Sequence, residues 1–494
     1  MKKNTKTRRH EEKKSKFLVS LCLGVFFVCC STLNASDYEI LEKSDTADVE
    51  SASYAREHHL VTVRILTIEG SDYREVIPVN SYIQVKNISV SIRYPDGRSE
   101  RMHPEEIVEL PLTMSPDMLT DFKAVVIAPK NLEPGCIVRI EYDRAITNLL
   151  YLNPWVYATS APIKKAFYSI KYPSQVPIKY KGADASNLKM QKSDSEGRTT
   201  IMLGTSDQKE VTLIGGSENL SAVEKKVVFL PEYCLTDKWP LSTKNWQDIA
   251  QWFLELSKYA YHDDPGMDAV VSRIVAKYQD PASIAAALFD YIQNNYGYVA
   301  IEIGIGGYKP RFASLTFKKK YGDCKDLTLL YLTLLRKAGI EGFPALVDTR
   351  SAKFFDRDFP TPTQFNHCIA YLPSIRGGTW VDSTVKNFKF GEVPAVIQGK
   401  FALVAGPNTL LKIPEDFLHA NLLRMQFAGA LSENQLRMSG RVATEGQAST
   451  LVHSMQNAVM KNSIKHHVYQ NLLLAGLPVQ QLETELDGDR SLRL

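Results

Sequence analysis

One short segment of the sequence places a cysteine at the start of a predicted helix. Residues 320–339 read KYGDCKDLTLLYLTLLRKAG, with apolar side chains at helical spacing along one face. Asp323 is a favourable N-cap residue, and Gly339 is a favourable residue for ending a helix. Cys324 is therefore predicted to be the first helical residue, where the helix dipole and the backbone N–H groups favour a thiolate. The same N–H groups could hold an oxyanion, so Cys324 is a candidate nucleophile.

A nucleophilic thiol needs a base, and the base needs a group that orients it. His367 lies in the strand-like run FNHCIAYL, and Asp382 lies in TWVDST after the turn sequence PSIRGG. If the two runs form a hairpin with Leu372 opposite Thr379, His367 and Asp382 share one sheet face as diagonal neighbours. A register shifted by two residues places them directly opposite each other. The combination predicts a Cys-His-Asp triad, although a packing cysteine, a structural histidine and a turn-forming aspartate would explain each residue singly.

The three strings YGDCKD, FNHCIAYL and TWVDST resemble the Cys, His and Asp motifs of the transglutaminase-like core, a superfamily related in fold to papain-like proteases. The preceding stretch VAIEIGIGGYKPRF resembles a bacterial subset in which an exported β-sandwich domain of unknown function, the DUF3857 type, precedes a transglutaminase-like domain. These specific motifs cover residues 297–385, and the remaining likeness is architectural. The resemblance implies that Cys324 is the nucleophile, His367 the base and Asp382 the orienting residue, with no metal or organic cofactor.

Residues 40–225 have the pattern of many short strands. Val61–Ile68, Ile88–Tyr94 and Ile137–Tyr142 alternate apolar and polar residues, which is the period of a half-buried strand. Further strands are predicted at four places, namely Ala166–Tyr172, Val176–Tyr180, Thr199–Met202 and Glu210–Ile214. Many short strands separated by turns predict an all-β sandwich, and no residues in this region have catalytic spacing.

The composition then changes. Trp246–Tyr259, Met267–Tyr278 and Ala282–Tyr296 each carry an apolar stripe at helical spacing, and Asp280-Pro281 is a helix-entry signal. Residues from 235 to 405 therefore predict a mixed domain with helices first and strands later. Near the C-terminus, Leu422–Val442 alternates loosely like strands, and Thr450–Leu474 has a helical pattern.

These patterns together predict a multi-domain protein: an N-terminal all-β sandwich, then an α+β papain-like transglutaminase-like domain, then a small C-terminal region. The predicted boundaries are a signal peptide at 1–35, a DUF3857-like β sandwich at 36–230, a transglutaminase-like domain at 231–405 and a small or truncated C-terminal domain at 406–494.

The run Gly304-Ile305-Gly306-Gly307 does not fit a dinucleotide-binding loop. Lys309 stands where that pattern needs a third glycine, and no helix pattern follows directly. The run predicts a turn before Pro310, and the alternative is a loop that lines the active-site cleft.

The N-terminal segment carries the basic charge of the whole chain. Residues 1–16 hold eight Lys or Arg and two Glu, a net charge of +6, so the rest of the chain carries 4 − 6 = −2. An apolar run of 14 residues, Phe17–Cys30, follows and is short for a membrane span. This order predicts a secretory signal cleaved after Ala35, and therefore export to the periplasm or cell envelope of a bacterium. The alternatives to cleavage are an uncleaved anchor and a lipid on Cys29 or Cys30. Membrane association is expected only through this segment, in one of these two ways.

Four cysteines lie beyond this segment: Cys136, Cys234, Cys324 and Cys368. Four are too few for a disulfide scaffold, and the sequence assigns no pairing among them. Cys368 points away from the face that carries His367 and is predicted to pack in the core. The adjacent pairs His58-His59 and His466-His467 are predicted to be surface residues, because neighbouring side chains diverge and rarely bind one metal ion.

The chemistry predicted from these residues is thiol acyl transfer, in which an amide is hydrolysed or transamidated through a thioester on Cys324. The predicted partner is a peptide or protein amide, including components of the cell envelope. A near-neutral chain beyond residue 35 gives no reason to expect nucleic acid. The alternative from another class is a non-catalytic envelope module that binds peptide or glycan and does not use the triad.

Overall fold

The fold is that of a computed structural model. It describes residues 37–112, 118–182, 188–211, 224–350, 355–386, 388–415, 422–432, 435–445, 485–486 and 491–493, with side chains only as far as residue 415. The predicted signal peptide, the predicted helix at Thr450–Leu474 and the pair His466-His467 lie outside the described residues. Among the residues described, no helix is both long and apolar enough to cross a membrane.

The chain divides into two compact units. The first consists of Met1–Ala260, Tyr298–Arg311 and Arg350–Gln364, and the second of Tyr261–Gly297, Phe312–Thr349 and Phe365–Leu494. Each is described by itself.

The first unit is built mainly from strands. They are β1 (Tyr38–Ser51), β2 (Tyr54–Ile65), β3 (Glu75–Val79), β4 (Ile83–Arg93), β5 (Ser99–Arg101), β6 (Val108–Pro111), β7 (Met118–Thr120), β8 (Lys123–Ile127), β9 (Ile137–Ile146), β10 (Trp155–Ala158), β11 (Ile163–Pro173), β12 (Ile178–Gly182), β13 (Lys189–Ser195), β14 (Arg198–Gln208), β15 (Lys225–Pro231), β16 (Tyr233–Thr236) and β17 (Trp239–Ser242).

One large sheet dominates this unit, with strand order β13-β14-β11-β1-β2-β9-β4-β5. Two three-stranded sheets, β3-β8-β6 and β10-β15-β12, and the hairpin β16-β17 complete it. The strands of the large sheet alternate buried and exposed side chains, as the period-two sequence pattern predicts. The prediction of a β-rich N-terminal region is confirmed. Of the predicted strand Glu210–Ile214, the first two residues lie beyond the end of β14, and the others lie outside the described residues.

The first unit also contains helix α1 (Trp246–Ser257) and, after residues 261–297 of the second unit, strand β19 (Ala300–Glu302). The short strand β18 (Gly297–Tyr298) comes just before β19. Asn245 caps α1 by accepting a hydrogen bond from the backbone N–H of Asp248. Strand β19 pairs in parallel with β7. Gly304–Gly307 forms a 3-10 turn, as the turn interpretation predicts.

The second unit places helices before strands, as predicted. Its elements are α2 (Pro265–Lys277), α3 (Pro281–Asn295), α4 (Ala313–Lys319), β20 (Tyr321–Gly322), α5 (Cys324–Lys337), β21 (Phe343–Val347), β22 (His367–Leu372), β23 (Thr379–Val381), β24 (Phe401–Val404), β25 (Thr409–Lys412), β26 (Leu422–Ser432), β27 (Gln435–Glu445), β28 (Glu485–Leu486) and β29 (Ser491–Arg493). Five strands form one sheet in the order β23-β22-β21-β24-β25, and the last four form another in the order β26-β27-β29-β28.

Helix α5 is the central element of this unit. Its apolar stripe packs against apolar residues of α2 and α3 and against β22 and β23, in one continuous core. The hydroxyl of Tyr331 on α5 donates to the carbonyl of Ala285 on α3 at 3.0 Å, which ties the two helices together. Because a fully buried leucine contributes about 1.5–3 kcal/mol, the five leucines that α5 contributes to this core hold the helix firmly against its neighbours. The fold class predicted from the sequence is confirmed, since a β-rich region precedes an α+β region.

Candidate active site

Cys324 is the first residue of α5, as the capping pattern predicts. The carboxylate of Asp323 accepts a hydrogen bond from the backbone N–H of Asp326 at 3.1 Å, and the carboxylate of Asp326 accepts from the N–H of Asp323 at 3.3 Å. This reciprocal capping box fixes the first turn of the helix. Gly322 is needed just before it, because a Cβ at that position would lie 2.7 Å from the Cβ of Asp326. The thiol is therefore held at the positive end of the helix dipole, where it is partly exposed.

The hairpin β22–β23 brings His367 next to Asp382. Leu372 lies opposite Thr379 and Ala370 opposite Val381, which is the first of the two registers considered, and the register shifted by two residues is wrong. Asp382 follows the last residue of β23. The Nε2 atom of His367 and the Oδ2 atom of Asp382 lie 2.9 Å apart, so the two side chains meet diagonally across the hairpin.

Asp382 is held on its other side by Thr384. Its Oδ1 atom accepts hydrogen bonds from the backbone N–H of Thr384 at 3.0 Å and from the hydroxyl of Thr384 at 2.7 Å. Asp382 is only 1% exposed. Burial alone would raise the pKa of Asp382, but the charge of His367 and the bonds from His367 and Thr384 lower it below its usual value. The buried carboxylate is therefore ionised and cannot rotate away from the histidine.

His367 connects this carboxylate with the candidate nucleophile. Burial alone would lower the pKa of His367, but the charge of Asp382 and hydrogen bonds to Asp382 and Cys324 hold it well above 6.5. Because Nε2 is used by Asp382, Nδ1 is the ring nitrogen left for the Cys324 thiol. The structure thus brings together all three residues that the sequence singled out, in the order thiol, imidazole, carboxylate.

A threonine that the sequence analysis passed over sets the distance between helix and strand. The hydroxyl of Thr328, one turn after Cys324, donates to the backbone carbonyl of Cys368 at 3.0 Å. Cys368 is the neighbour of His367 in β22, so this bond fixes the helix that carries the thiol against the strand that carries the imidazole. The sequence does show Thr328 as a polar residue beside the apolar face of the helix, and such a position indicates a buried hydrogen bond. The side chain of Cys368 is buried, as its predicted packing role requires.

Lys325 is the second residue that the sequence analysis missed. It is 4% exposed, and its ammonium group forms an ion pair with the carboxylate of Asp323. Burial alone would lower the pKa of Lys325, but the charges of Asp323, Cys324 and Asp326 raise it above its usual value. A buried cation therefore lies beside the candidate nucleophile in the first turn of α5. Lysine is rarely buried, so no pattern in the sequence indicates this burial.

The other described cysteines lack this environment. Cys136, Cys234 and Cys368 are buried free thiols, and Cys324 is also free. Burial raises the pKa of Cys234 to about 12 and that of Cys368 well above its usual value. In the part of the chain that the structure describes, no group of three or more His, Cys, Asp or Glu is arranged to hold a metal ion.

Two family models match the chain. Residues 52–211 match the model described as a domain of unknown function, DUF3857, and residues 268–342 match the model described as the transglutaminase-like superfamily. A DUF3857 region precedes a transglutaminase-like region. The resemblance recognised in the sequence is confirmed. Cys324 lies inside the transglutaminase-like match, whereas His367 and Asp382 lie beyond its last residue. No curated protein matches the chain.

One solved structure has a similar fold over most of the chain. A crystal structure described as "a putative protease" from Parabacteroides distasonis matches with a TM-score of 0.57 at 15% identity, covering 77% of this chain and 72% of that chain. At this identity the likeness shows the fold alone. A zinc metallopeptidase of the M1 type from Deinococcus radiodurans matches at 12% identity over 45% of this chain and 53% of that chain, with a TM-score of 0.21 that carries no argument.

Removing the charge of Lys325 is expected to slow alkylation of Cys324. Lys325→Met keeps the length of the side chain but leaves the buried carboxylate of Asp323 without its cation, which disfavours a thiolate beside it. The rate of Cys324 modification by iodoacetamide at pH 7 should fall about tenfold, which corresponds to about 1.4 kcal/mol.

Two variants separate charge from packing. Lys325→Arg keeps the charge and should restore much of the rate, whereas Lys318→Met removes an exposed lysine of the same unit and should leave the rate unchanged. Equal rates in wild type and Lys325→Met would show that this cation does not act on the thiol.

The His367–Asp382 pair is expected to make stability depend on pH. The raised pKa of His367 contributes stability that is fully present below about pH 6.5 and is lost as the pH rises through its folded-state value. The lowered pKa of Asp382 contributes stability that is lost as the pH falls through its folded-state value, below 3.8. Asp382→Asn breaks a buried pair, so it should lower the free energy of unfolding on the order of 3–5 kcal/mol. The loss should be largest between about pH 4.5 and 6.5.

Urea denaturation from pH 4.5 to 9 measures the free energy of unfolding of wild type and of Asp382→Asn. The difference between the two free energies should shrink steadily above pH 6.5. Asp263→Asn, which breaks an exposed ion pair with Lys337, is the control and should cost less than about 1 kcal/mol. A difference between wild type and Asp382→Asn that is constant across this pH range would contradict the assignment of a raised pKa to His367.

Proposed function

We propose that the chain is an exported thiol acyl-transfer enzyme that cleaves or transfers an amide through a thioester on Cys324. The observation that carries this proposal is the continuous hydrogen-bonded series from Cys324 through His367 to Asp382. A histidine that is only structural would not need a buried carboxylate on one nitrogen and a partly exposed thiol on the helix dipole beside the other.

The proposed first half-reaction starts from a thiolate and a protonated imidazole. The sulfur of Cys324 attacks the carbonyl carbon of the amide, a C–S bond forms, and the carbonyl electron pair moves to oxygen. The backbone N–H of Cys324 belongs to the first turn of α5, whose N–H groups lack intrahelical acceptors, and it stabilises the oxyanion. His367 then gives its proton to the leaving nitrogen as the C–N bond breaks. The amine leaves, and the acyl group remains on sulfur as a thioester.

The second half-reaction releases the acyl group. His367, now neutral, takes a proton from water or from a primary amine as the oxygen or nitrogen attacks the thioester carbon. The C–S bond breaks, and the thiolate and the imidazolium are restored. Asp382 stays ionised throughout and stabilises the imidazolium, since its position is fixed by Thr384. Water gives hydrolysis, and an amine gives transamidation.

The comparisons support the coarser part of this proposal. The transglutaminase-like match and the protease-like description of the similar crystal structure are both consistent with protease or acyl-transfer chemistry. Export to the periplasm or cell envelope is supported by the basic and apolar order of the first 35 residues. The proposed substrate is therefore a peptide or protein amide, including amides of the cell envelope.

Trapping the acyl-enzyme tests this function. The full chain is incubated with a quenched fluorescent peptide library, and separately with dimethylcasein and a fluorescent primary amine. Peptide cleavage or amine incorporation is expected, together with an acyl adduct on Cys324 seen by mass spectrometry after rapid acid quenching. Cys324→Ala should reduce turnover at least about 10³-fold, because it removes the nucleophile.

Cys136→Ala is the matched control, since it removes a buried thiol far from the triad in sequence and should retain turnover. Turnover that survives in Cys324→Ala would contradict the thioester route. A chain that forms no acyl adduct with any probe would favour the binding-module alternative.

A further inference from the structure

The buried face of the large sheet in the first unit carries a row of polar residues across four strands. Tyr168 on β11 lies opposite Asp45 on β1, Asp45 lies opposite His59 on β2, and His59 lies opposite Tyr142 on β9. All four side chains are buried. On this face of a sandwich the alternating pattern normally places apolar residues, so the row departs from what packing alone requires. The prediction that His59 is a surface residue is wrong.

An adjoining pair of charges extends this row into a network. Glu57 lies opposite Arg144 and accepts a hydrogen bond from its guanidinium group. His59 bonds to Asp45 at 2.8 Å through Nδ1 and to Glu57 at 3.1 Å through Nε2. Burial alone would lower the pKa of His59, but these two carboxylates raise it to about 9. Replacing such a buried network by apolar residues is often neutral or stabilising, so folding does not explain its presence.

A cavity of about 370 Å³ adjoins the network. Its wall includes Lys43, His59, Tyr142, Arg144 and Tyr168 on the large sheet, and Tyr73 and Glu75 face it from the start of β3. The volume lies within the range of about 300–1,000 Å³ that is usual for small-molecule sites.

Two donors in this wall have no protein partner. The hydroxyl of Tyr168 and the Nε–H of Arg144 are buried and have no hydrogen-bond partner among the described residues. Each unpaired buried donor costs about 1–3 kcal/mol. A ligand that supplies acceptor atoms to this wall would remove that cost.

The charges of the wall select against ionic ligands. Three cations of the wall already face carboxylates: Lys43 and His59 face Asp45, and Arg144 faces Glu57. Because these charges are paired, the wall offers little attraction to an anion. An amino acid or short peptide would have to break the existing pairs to place its own two charges. Hydroxyl groups need no such exchange, because they accept from unpaired donors and donate to the remaining lone pairs of carboxylates.

We propose that this cavity binds a neutral saccharide of one or two rings. Four tyrosines line the wall, namely Tyr38, Tyr73, Tyr142 and Tyr168, and aromatic rings suit the C–H faces of a sugar ring. The unpaired donors of Tyr168 and Arg144 suit its hydroxyl and ring oxygens. The first unit is then a carbohydrate-binding domain, independent of the chemistry at Cys324.

Titration calorimetry of the full chain tests this proposal. The probes are glucose, N-acetylglucosamine, maltose and the N-acetylglucosamine disaccharide, with citrate as the anionic control and alanyl-alanine as the zwitterionic control. Saturable binding of at least one saccharide is expected. Tyr168→Phe removes one hydroxyl without changing the ring and should weaken that binding about tenfold. Its thermal stability should not fall, since the lost hydroxyl has no protein partner.

Tyr172→Phe is the matched control, because Tyr172 lies on the same strand and face but outside the cavity wall. It should bind the saccharide as wild type does. A second variant, Val61→Phe, adds bulk to the wall and should abolish binding. Binding of citrate or alanyl-alanine alone, absence of saccharide binding, or equal affinities of Tyr168→Phe and Tyr172→Phe would each overturn the proposal. Alkylation of Cys324 should be unchanged in all three variants, which separates this result from the fate of the proposed enzyme.

Discussion

The bond between Nε2 of His367 and Oδ2 of Asp382 is the constraint on which the candidate active site depends. It requires one hairpin register, since a shift by one residue would move one of the two side chains to the other sheet face. It also fixes which ring nitrogen faces Cys324. The first residue of α5 must then lie next to that nitrogen. The capping box of α5 and the hydrogen bond from Thr328 to β22 hold it there.

Periodicity explains why so much of this site could be predicted from the sequence. The capping residues before Cys324 and the alternation around His367 are local signals, and each fixes where one side chain points. The roles of Thr328 and Lys325 could not be read in this way. The partner of Thr328 is a backbone carbonyl 40 residues away, and the burial of Lys325 depends on how the first turn of α5 is covered.

The same reasoning explains the misassignment of His59. In YAREHHLVTVRI, residues Glu57 and His59 occupy the same alternation as Val61 and Val63, so the pattern already placed them on the buried face. Because the adjacent His58 lies on the opposite face, the two histidines together are also typical of a pair of surface residues. In each unit, buried charges paired with one another coincide with the place where we propose chemistry or binding, because an unpaired buried charge would be too costly to keep.

Selective alkylation of the free thiols tests the central claim most directly. The full chain is treated with limiting iodoacetamide near neutral pH, and the adducts are mapped by mass spectrometry in wild type and in His367→Ala. The account predicts preferential modification of Cys324 over Cys136, Cys234 and Cys368, and loss of that preference in His367→Ala. Equal and slow modification of all four thiols, or a Cys324 rate that does not respond to the loss of His367, would contradict it.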